Sequence, residues 1–265
     1  MVKHDMEPIL RANGISAGYR AGRSMSVVLR DVNVAMRAGE VVCMLGANGA
    51  GKSTLLRTLS REQAPLSGVV TVGGRDVHGM KWGEVARCLS VVYTERTHAG
   101  ALTVEEVVSL GRQPYTGFLG RLDDADREVV RDSIRAVGME RFEERFMATL
   151  SDGERQKVMI ARALAQRTPI MMLDEPTTFL DVASRLEIME LLAQLAHEHG
   201  KAVLLSTHDV ADALEIADRL WLLCGDGGVK QGAVDELVSA GMMDRLFAGR
   251  SVRFDAAAGD YRLRR

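Results

Sequence analysis

Gly46-Ala47-Asn48-Gly49-Ala50-Gly51-Lys52-Ser53-Thr54 fits the spacing G-x-x-x-x-G-K-[ST] at every position, and those residue types together can hold a chain of phosphates. Glycines let the backbone wrap an anion with its N–H groups turned inward. A helix beginning near Lys52 would add its unpaired N–H groups and the positive end of its dipole. Lys52 would place a cation between the β and γ phosphates, and the Ser53 hydroxyl would hold Mg²⁺. The flanks agree with this reading. Residues 41–45 (VVCML) form an apolar run typical of a strand, and residues 55–59 (LLRTL) continue as a helix. A chance glycine turn would not need either flank.

Two more groups of polar residues end apolar runs. In Pro169-Ile170-Met171-Met172-Leu173-Asp174-Glu175-Pro176, the unbroken apolar stretch is what a parallel strand covered on both faces looks like. Its acids fall at the carboxyl end, where open α/β sheets place their ligands. Asp174 is placed to hold Mg²⁺, directly or through water, and Glu175 can polarise a water in line with the γ-phosphate. Residues 202–207 read as a second buried strand with His208 at its end. Alone, such a histidine is usually a polar tip residue. Beside a phosphate loop and two acids, it can bond the γ-phosphate and orient Glu175. Catalysis by so few groups would rest on positioning and charge stabilisation.

Leu150-Ser151-Asp152-Gly153-Glu154 opens another helix. Ser151 as cap and Glu154 three residues on form a capping box, in which each satisfies the other's free backbone N–H. That structural reading suffices for any protein and by itself shows no function. Tyr19 lies in the expected turn Ala17-Gly18-Tyr19-Arg20. It could stack on a nucleotide base, or be a partly buried tyrosine at a sheet edge.

The elements that must position these groups follow from periodicity. Residues 9–40 alternate short apolar runs with turn signals, and residues 27–34 read as a half-exposed antiparallel strand. Strands are expected at 68–74 and 89–93, with a short helix at 83–87 between them. From about 94 to 167 the character is helical, with a threonine cap at Thr103 and an exposed amphipathic helix over 123–137. A long helix over 183–199, a helix over 209–217 and a strand over 220–224 complete the pattern. The basic end, Tyr261-Arg262-Leu263-Arg264-Arg265, reads as solvated.

Composition bounds the rest. A chain of 265 residues with 46% hydrophobic and 26% charged residues can bury a large core and is ordinary for a globular protein. The net charge of −2 offers no global attraction to nucleic acid. No apolar run approaches the ~20 residues of a membrane span. Residues 1–5 lack a signal-peptide core, so the chain is expected in the cytosol. The three cysteines, Cys43, Cys88 and Cys224, carry no metal-ligand spacing, and Cys43 and Cys224 read as buried reduced thiols.

Taken together, these motifs closely resemble the ATP-binding-cassette ATPases, from Tyr19 to about Leu246. Gly46, Ala47, Asn48, Gly49, Ala50, Gly51, Lys52, Ser53 and Thr54 look like the Walker A loop. Ile170 to Asp174 with Glu175 look like Walker B and the catalytic carboxylate. Leu150 to Glu154 stand where the family has Leu-Ser-Gly-Gly-Gln; Phe179-Leu180-Asp181 is similar to the D-loop, and His208 to the switch histidine. The resemblance favours base stacking for Tyr19. It implies an α/β fold with an N-terminal antiparallel β part, a P-loop core and a helical subdomain inserted at about 95–168, all in one domain over 1–265. It also implies ATP and Mg²⁺ as ligands and a head-to-tail homodimer, in which Ser151, Asp152, Gly153 and Glu154 of one subunit meet ATP held by the other.

A narrower resemblance, carried by Leu102-Thr103-Val104-Glu105-Glu106-Val107-Val108 and Leu110-Gly111-Arg112-Gln113-Pro114, is to importer ATPases serving iron–siderophore, haem and cobalamin permeases. It implies membrane permease partners, through them an extracytoplasmic binding protein, no nucleic acid, and a place on the cytoplasmic face of the inner membrane. The competing reading is a soluble cassette ATPase in iron–sulfur assembly or nucleic-acid repair, which would more often show large insertions, a tandem cassette or a basic surface. A GTPase would offer Asn-Lys-x-Asp, which is not in the sequence. The chain leaves the family pattern at Thr94, where a metal-sensing glutamine is normal, and Thr94 is expected to take that role, with Glu95 and Arg96 linking to the helical part.

Overall fold

The computed structural model describes residues 7–22, 24–93, 100–117, 120–178, 180–247, 252–256 and 258–263. The chain opens with two long strands, β1 (Leu10–Ala21) and β2 (Ser24–Met36), and then enters the buried strand β3 (Val41–Gly46). Helix α1 (Lys52–Leu59) follows, then strands β4 (Ser67–Val72) and β5 (Arg75–Asp76), the short helix α2 (Trp82–Val85) and strand β6 (Leu89–Val92). Three helices, α3 (Val104–Ser109), α4 (Asp124–Ala136) and α5 (Asp152–Ala165), pack on one another before the chain returns in β7 (Ile170–Asp174). Next come α6 (Val182–His197), β8 (Ala202–Thr207), α7 (Val210–Ile216), β9 (Arg219–Leu223), β10 (Val229–Ala233) and α8 (Val234–Ser239). A hairpin of β11 (Val252–Asp255) and β12 (Asp260–Leu263) ends the described chain.

The central sheet has the order β10-β9-β3-β8-β7-β6, parallel except for β10, which runs antiparallel on β9. Its inner strands β3, β7 and β8 are buried along their whole length because both faces are covered. Val42 and Met44 of β3 join a core with α1, the antiparallel sheet β2-β1-β4-β5 and the fully buried Trp221. Cys43 and Leu45 point the other way, into a core with α3 to α7. Burial pushes the Cys43 thiol far above its ordinary range, so it is an inert core group. Chain order reverses direction between β3 and β8, the kind of point at whose carboxyl ends open α/β sheets place their ligands.

The three-helix part is tied down by Arg112, whose Nε donates to Asp126 at 2.8 Å and whose Nη1 donates to the Ala165 carbonyl at 2.8 Å, both beneath the surface. Trp82 is 61% exposed, with the Arg61 guanidinium stacked 4.4 Å from its ring centre. Among the described residues, no helix is long and apolar enough to cross a membrane.

One expectation changes here. Tyr19 lies inside β1, not in a turn. Register shifts between Ala12 and Gly18 are bulges that break the alternation by which a strand is read. Gly18 is required there: a Cβ would sit 2.0 Å from the Ser26 carbonyl oxygen. The C-terminal stretch, expected to be solvated, is exposed at Arg262 and Leu263 while it forms the second strand of the β11–β12 hairpin. Phe254 and Tyr261 meet edge to face at 5.4 Å, and the Tyr261 hydroxyl donates to the Met243 carbonyl.

Candidate nucleotide site

Strand register brings the polar groups together. Leu45 of β3 pairs with Thr207 of β8, and Asp174 of β7 pairs with Ser206 of β8. Adjacent strands lie about 4.8 Å apart, so the residues just past these ends, Gly46, Glu175 and His208, emerge side by side.

The glycine loop is held by close packing. Gly51, at φ 104°, is the cap of α1, and a Cβ there would also lie 2.9 Å from Val28 Cγ1. A Cβ on Gly46 would lie 3.0 Å from Leu223 Cβ. No side chain caps α1 and no acid lies in its first turn, so its N-terminal N–H groups face the loop Ala47–Ala50 with their dipole uncancelled. Lys52 is 6% exposed. Its Nζ donates to the Gly46 carbonyl at 3.0 Å and stands 3.4 Å from Glu175 Oε1. The half-exposed Tyr19 reaches the same helix, with its hydroxyl 3.0 Å from Thr54 Oγ1.

Glu175 is one of the few non-glycine residues at positive φ, 46°. Such a conformation costs about 1–3 kcal/mol and persists only where its surroundings enforce it. Here its N–H donates to both the carbonyl and the Oγ of Ser206, at 3.1 and 2.9 Å. Its carboxylate accepts from Thr178 Oγ1 at 3.2 Å and lies 3.5 Å from His208 Nδ1. The Ser206 hydroxyl donates to Asp174 Oδ1 at 2.6 Å. Ser206, fully buried, therefore fixes both acids, yet nothing in the apolar run 202–207 distinguishes it from a filler. Only the register of β7 on β8 gives it that work.

The segment 150–154 folds as a capping box. Ser151 Oγ accepts from the Glu154 N–H at 3.3 Å, while Glu154 Oε2 accepts from the Ser151 N–H at 2.7 Å and its hydroxyl at 2.9 Å. The Ser151 N–H holds the Glu154 carboxyl below its ordinary range. Asp152 pairs with Arg155 at 2.7 Å. Gly153 packs on the start of α6, where a Cβ would lie 3.1 Å from Ser184 Cβ. Asp181 caps α6 through the Ser184 N–H at 2.9 Å and the Ser184 hydroxyl at 3.0 Å, and the first of these draws its carboxyl down. Thus 151–154 and Asp181 meet each other's elements, while Lys52, Asp174, Glu175 and His208 form a separate cluster with the loop 46–54. Thr94, with Glu95 and Arg96, lies outside the described residues, as does Phe179.

Residues 29–178 match the ABC transporter family. The chain belongs to this family of ATP-binding cassettes. An uncharacterized ABC transporter ATP-binding protein of Methanocaldococcus jannaschii is 37% identical over 97% of this chain and 87% of its own length. The ferric enterobactin transport ATP-binding protein FepC of Escherichia coli is 36% identical over 93% of this chain and 89% of its own. The iron(3+)-hydroxamate import ATP-binding protein FhuC of Bacillus subtilis is 36% identical over 83% of this chain and 82% of its own. Among solved structures, a metal-chelate-type ABC transporter in an inward-facing conformation superimposes with a TM-score of 0.79 at 25% identity, covering 91% of this chain and 89% of that one. A dimeric cassette in a post-hydrolysis state with ADP and Pi gives 0.74 at 29% identity, covering 85% and 98%. This cassette is accordingly an ATPase, and its α/β fold with an antiparallel β part and P-loop core is that of the family.

The donor set suits Mg²⁺. Among the described residues no cluster of three or more His, Cys, Asp or Glu side chains could hold a metal by itself. One exposed hydroxyl, Ser53, and one carboxylate, Asp174, stand beside a phosphate loop. Mg²⁺ is commonly held in this manner, by one or two protein oxygens with phosphate oxygens and water.

Proposed function

We propose that this cassette works as a homodimer at the cytoplasmic face of the cell membrane, driving an import permease for iron–siderophore, haem or cobalamin-type cargo supplied by an extracytoplasmic binding protein. The names of relatives such as FepC and FhuC support the cargo class, and the dimeric cassette structures support the pairing. The observation that carries the chemistry is the run Lys52–Glu175–His208, with steps of 3.4 and 3.5 Å, at the carboxyl edge of the sheet.

In this reading the loop 46–54 and the start of α1 bind the phosphates through backbone N–H groups, with Lys52 adding the charge that the loop lacks. The Tyr19 ring, held against α1, stacks on the base. Ser53 and Asp174 would hold Mg²⁺, which would supply positive charge against the phosphates. Glu175, fixed through its backbone by Ser206, accepts the proton of the attacking water. His208 holds the Glu175 carboxylate in place and contacts the γ-phosphate. The partner's Ser151 to Glu154 segment closes over the same nucleotide, with Asp181 at the subunit contact. Thr94 completes the metal-sensing role from its place after β6.

The shared site is tested by mixing Ser151→Arg and Lys52→Ala subunits. Heterodimers should regain one composite site, so ATPase activity should return at intermediate ratios; none at any ratio would refute the trans role of Ser151. For cargo, cells lacking the chain are assayed for uptake of a ferric siderophore, haem and cobalamin with and without its gene. Restoration of none would refute the importer assignment.

A further inference from the structure

We propose that Arg185 is a positioning residue for hydrolysis, tying the start of α6 to the short segment that presents His208. This rests on the role given to His208 above. Arg185 stands in the first turn of α6, where its N–H donates to the Asp181 carbonyl at 3.0 Å. Its guanidinium crosses to the next element. Nη1 donates to Asp209 Oδ2 at 2.9 Å, and Nε lies 3.3 Å from Asp212 Oδ2. The Nη1 bond fixes the guanidinium's direction on Asp209, while the Nε contact to Asp212 is one of charge alone, without hydrogen-bond geometry.

Asp209 holds the backbone on both sides of His208. Asp209 caps α7 by accepting from the Asp212 N–H at 3.2 Å, and its own N–H donates to Thr207 Oγ1 at 3.0 Å. His208 lies between these anchored residues, with Nδ1 3.5 Å from Glu175. Asp212 is buried beside Asp209, and burial followed by that neighbour raises its pKa, while Arg185 opposes both. Without the guanidinium the two carboxylates would repel across the α7 cap, and the segment that orients His208 would lose its outer support.

The same turn of α6 also meets the start of α5, since Gly153 lies against Ser184, the residue before Arg185. One line of contacts therefore runs from the start of α5 through Ser184 and Arg185 to Asp209, His208 and Glu175. At its far end Glu175 meets Lys52 of the phosphate loop.

Steady-state ATPase kinetics on the full chain test this with Arg185→Gln, Arg185→Lys, His208→Ala and the Arg185→Gln/His208→Ala double variant. Arg185→Gln should lower kcat about tenfold, a coupling of roughly 1.4 kcal/mol, with KM for ATP close to the parent's. Arg185→Lys should recover part of the loss, since it restores the charge without the fork; it also carries the test if Arg185→Gln does not fold. In the double variant the Arg185 change should add nothing to the His208→Ala defect. Multiplicative losses, a raised KM with kcat intact, or parental turnover in both Arg185 variants would overturn the proposal while leaving the role of His208 standing. Parental turnover in His208→Ala would overturn both.

Discussion

In the proposed site the starts of α1 and α5 are both helix N-termini that meet phosphate, and the chain equips them in opposite ways. At α1 a glycine with φ 104° is the cap, no side chain bonds the free N–H groups, no acid lies in the first turn, and the buried Lys52 adds a cation. At α5 the cap is occupied, the Ser151 hydroxyl is donated to Glu154, and Asp152 and Glu154 put two carboxylates in the first turn. The first end is built for an anion before one arrives. The second is already satisfied by its own acid, so its hydroxyl and N–H groups must exchange partners before they can meet a phosphate. Electrostatic preorganisation belongs to the loop side; the α5 side is a conditional participant.

The largest test of that contrast is Glu175→Gln. An amide is a poor base, so turnover should fall by about 10²–10⁴, while ATP binding to the α1 side persists and the dimer accumulates with ATP and Mg²⁺ in sedimentation. A monomer at saturating ATP would sever the two ends. Next is Lys52→Ala, which removes a charged contact worth about 1.5–3 kcal/mol, so calorimetry should show ATP affinity reduced roughly ten- to hundredfold. Unchanged affinity would place the preorganised end elsewhere.

At α5 the effects should be on stability first. Ser151→Ala removes a cap worth about 1 kcal/mol, and thermal unfolding should shift down by about 2–4 °C. The smallest effect sharpens the contrast most. The Glu154 carboxyl is held low chiefly by the Ser151 N–H, so its stabilisation is present above the ordinary glutamate pKa of about 4.3 and is lost as pH falls through the lower folded value. Relative to Glu154→Gln, the parent's cap should keep a constant advantage near neutrality that shrinks below about pH 4. Denaturant titrations across that range check the sign; an advantage growing toward acid would contradict it.

What could be read from sequence was what is local in the chain. The phosphate loop, the capping box at Ser151 and the acids ending β7 announce themselves within ten residues. Tyr19 was harder, because the bulges in β1 break its alternation and made a strand look like a turn. The β10 strand, Val-Lys-Gln-Gly-Ala, is too short and glycine-bearing to signal an edge that pairs antiparallel with β9. Ser206 and Arg185 were invisible for another reason. Their partners lie on other elements, Asp174 thirty-two residues away and Asp209 twenty-four, and only tertiary register makes them neighbours.

The two tryptophans of the chain occupy opposite environments. Trp221 is sealed between the sheets, and Trp82 stands out under the Arg61 guanidinium. Their light separates accordingly: an indole in a dry core emits toward the blue, and one in water toward the red. Loss of the blue component marks opening of the central sheet. Quenching of the red one by a water-soluble quencher reads whether anything covers the face around α2. An unlabelled sample therefore carries its own two-channel optical readout, one channel for integrity and one for occlusion.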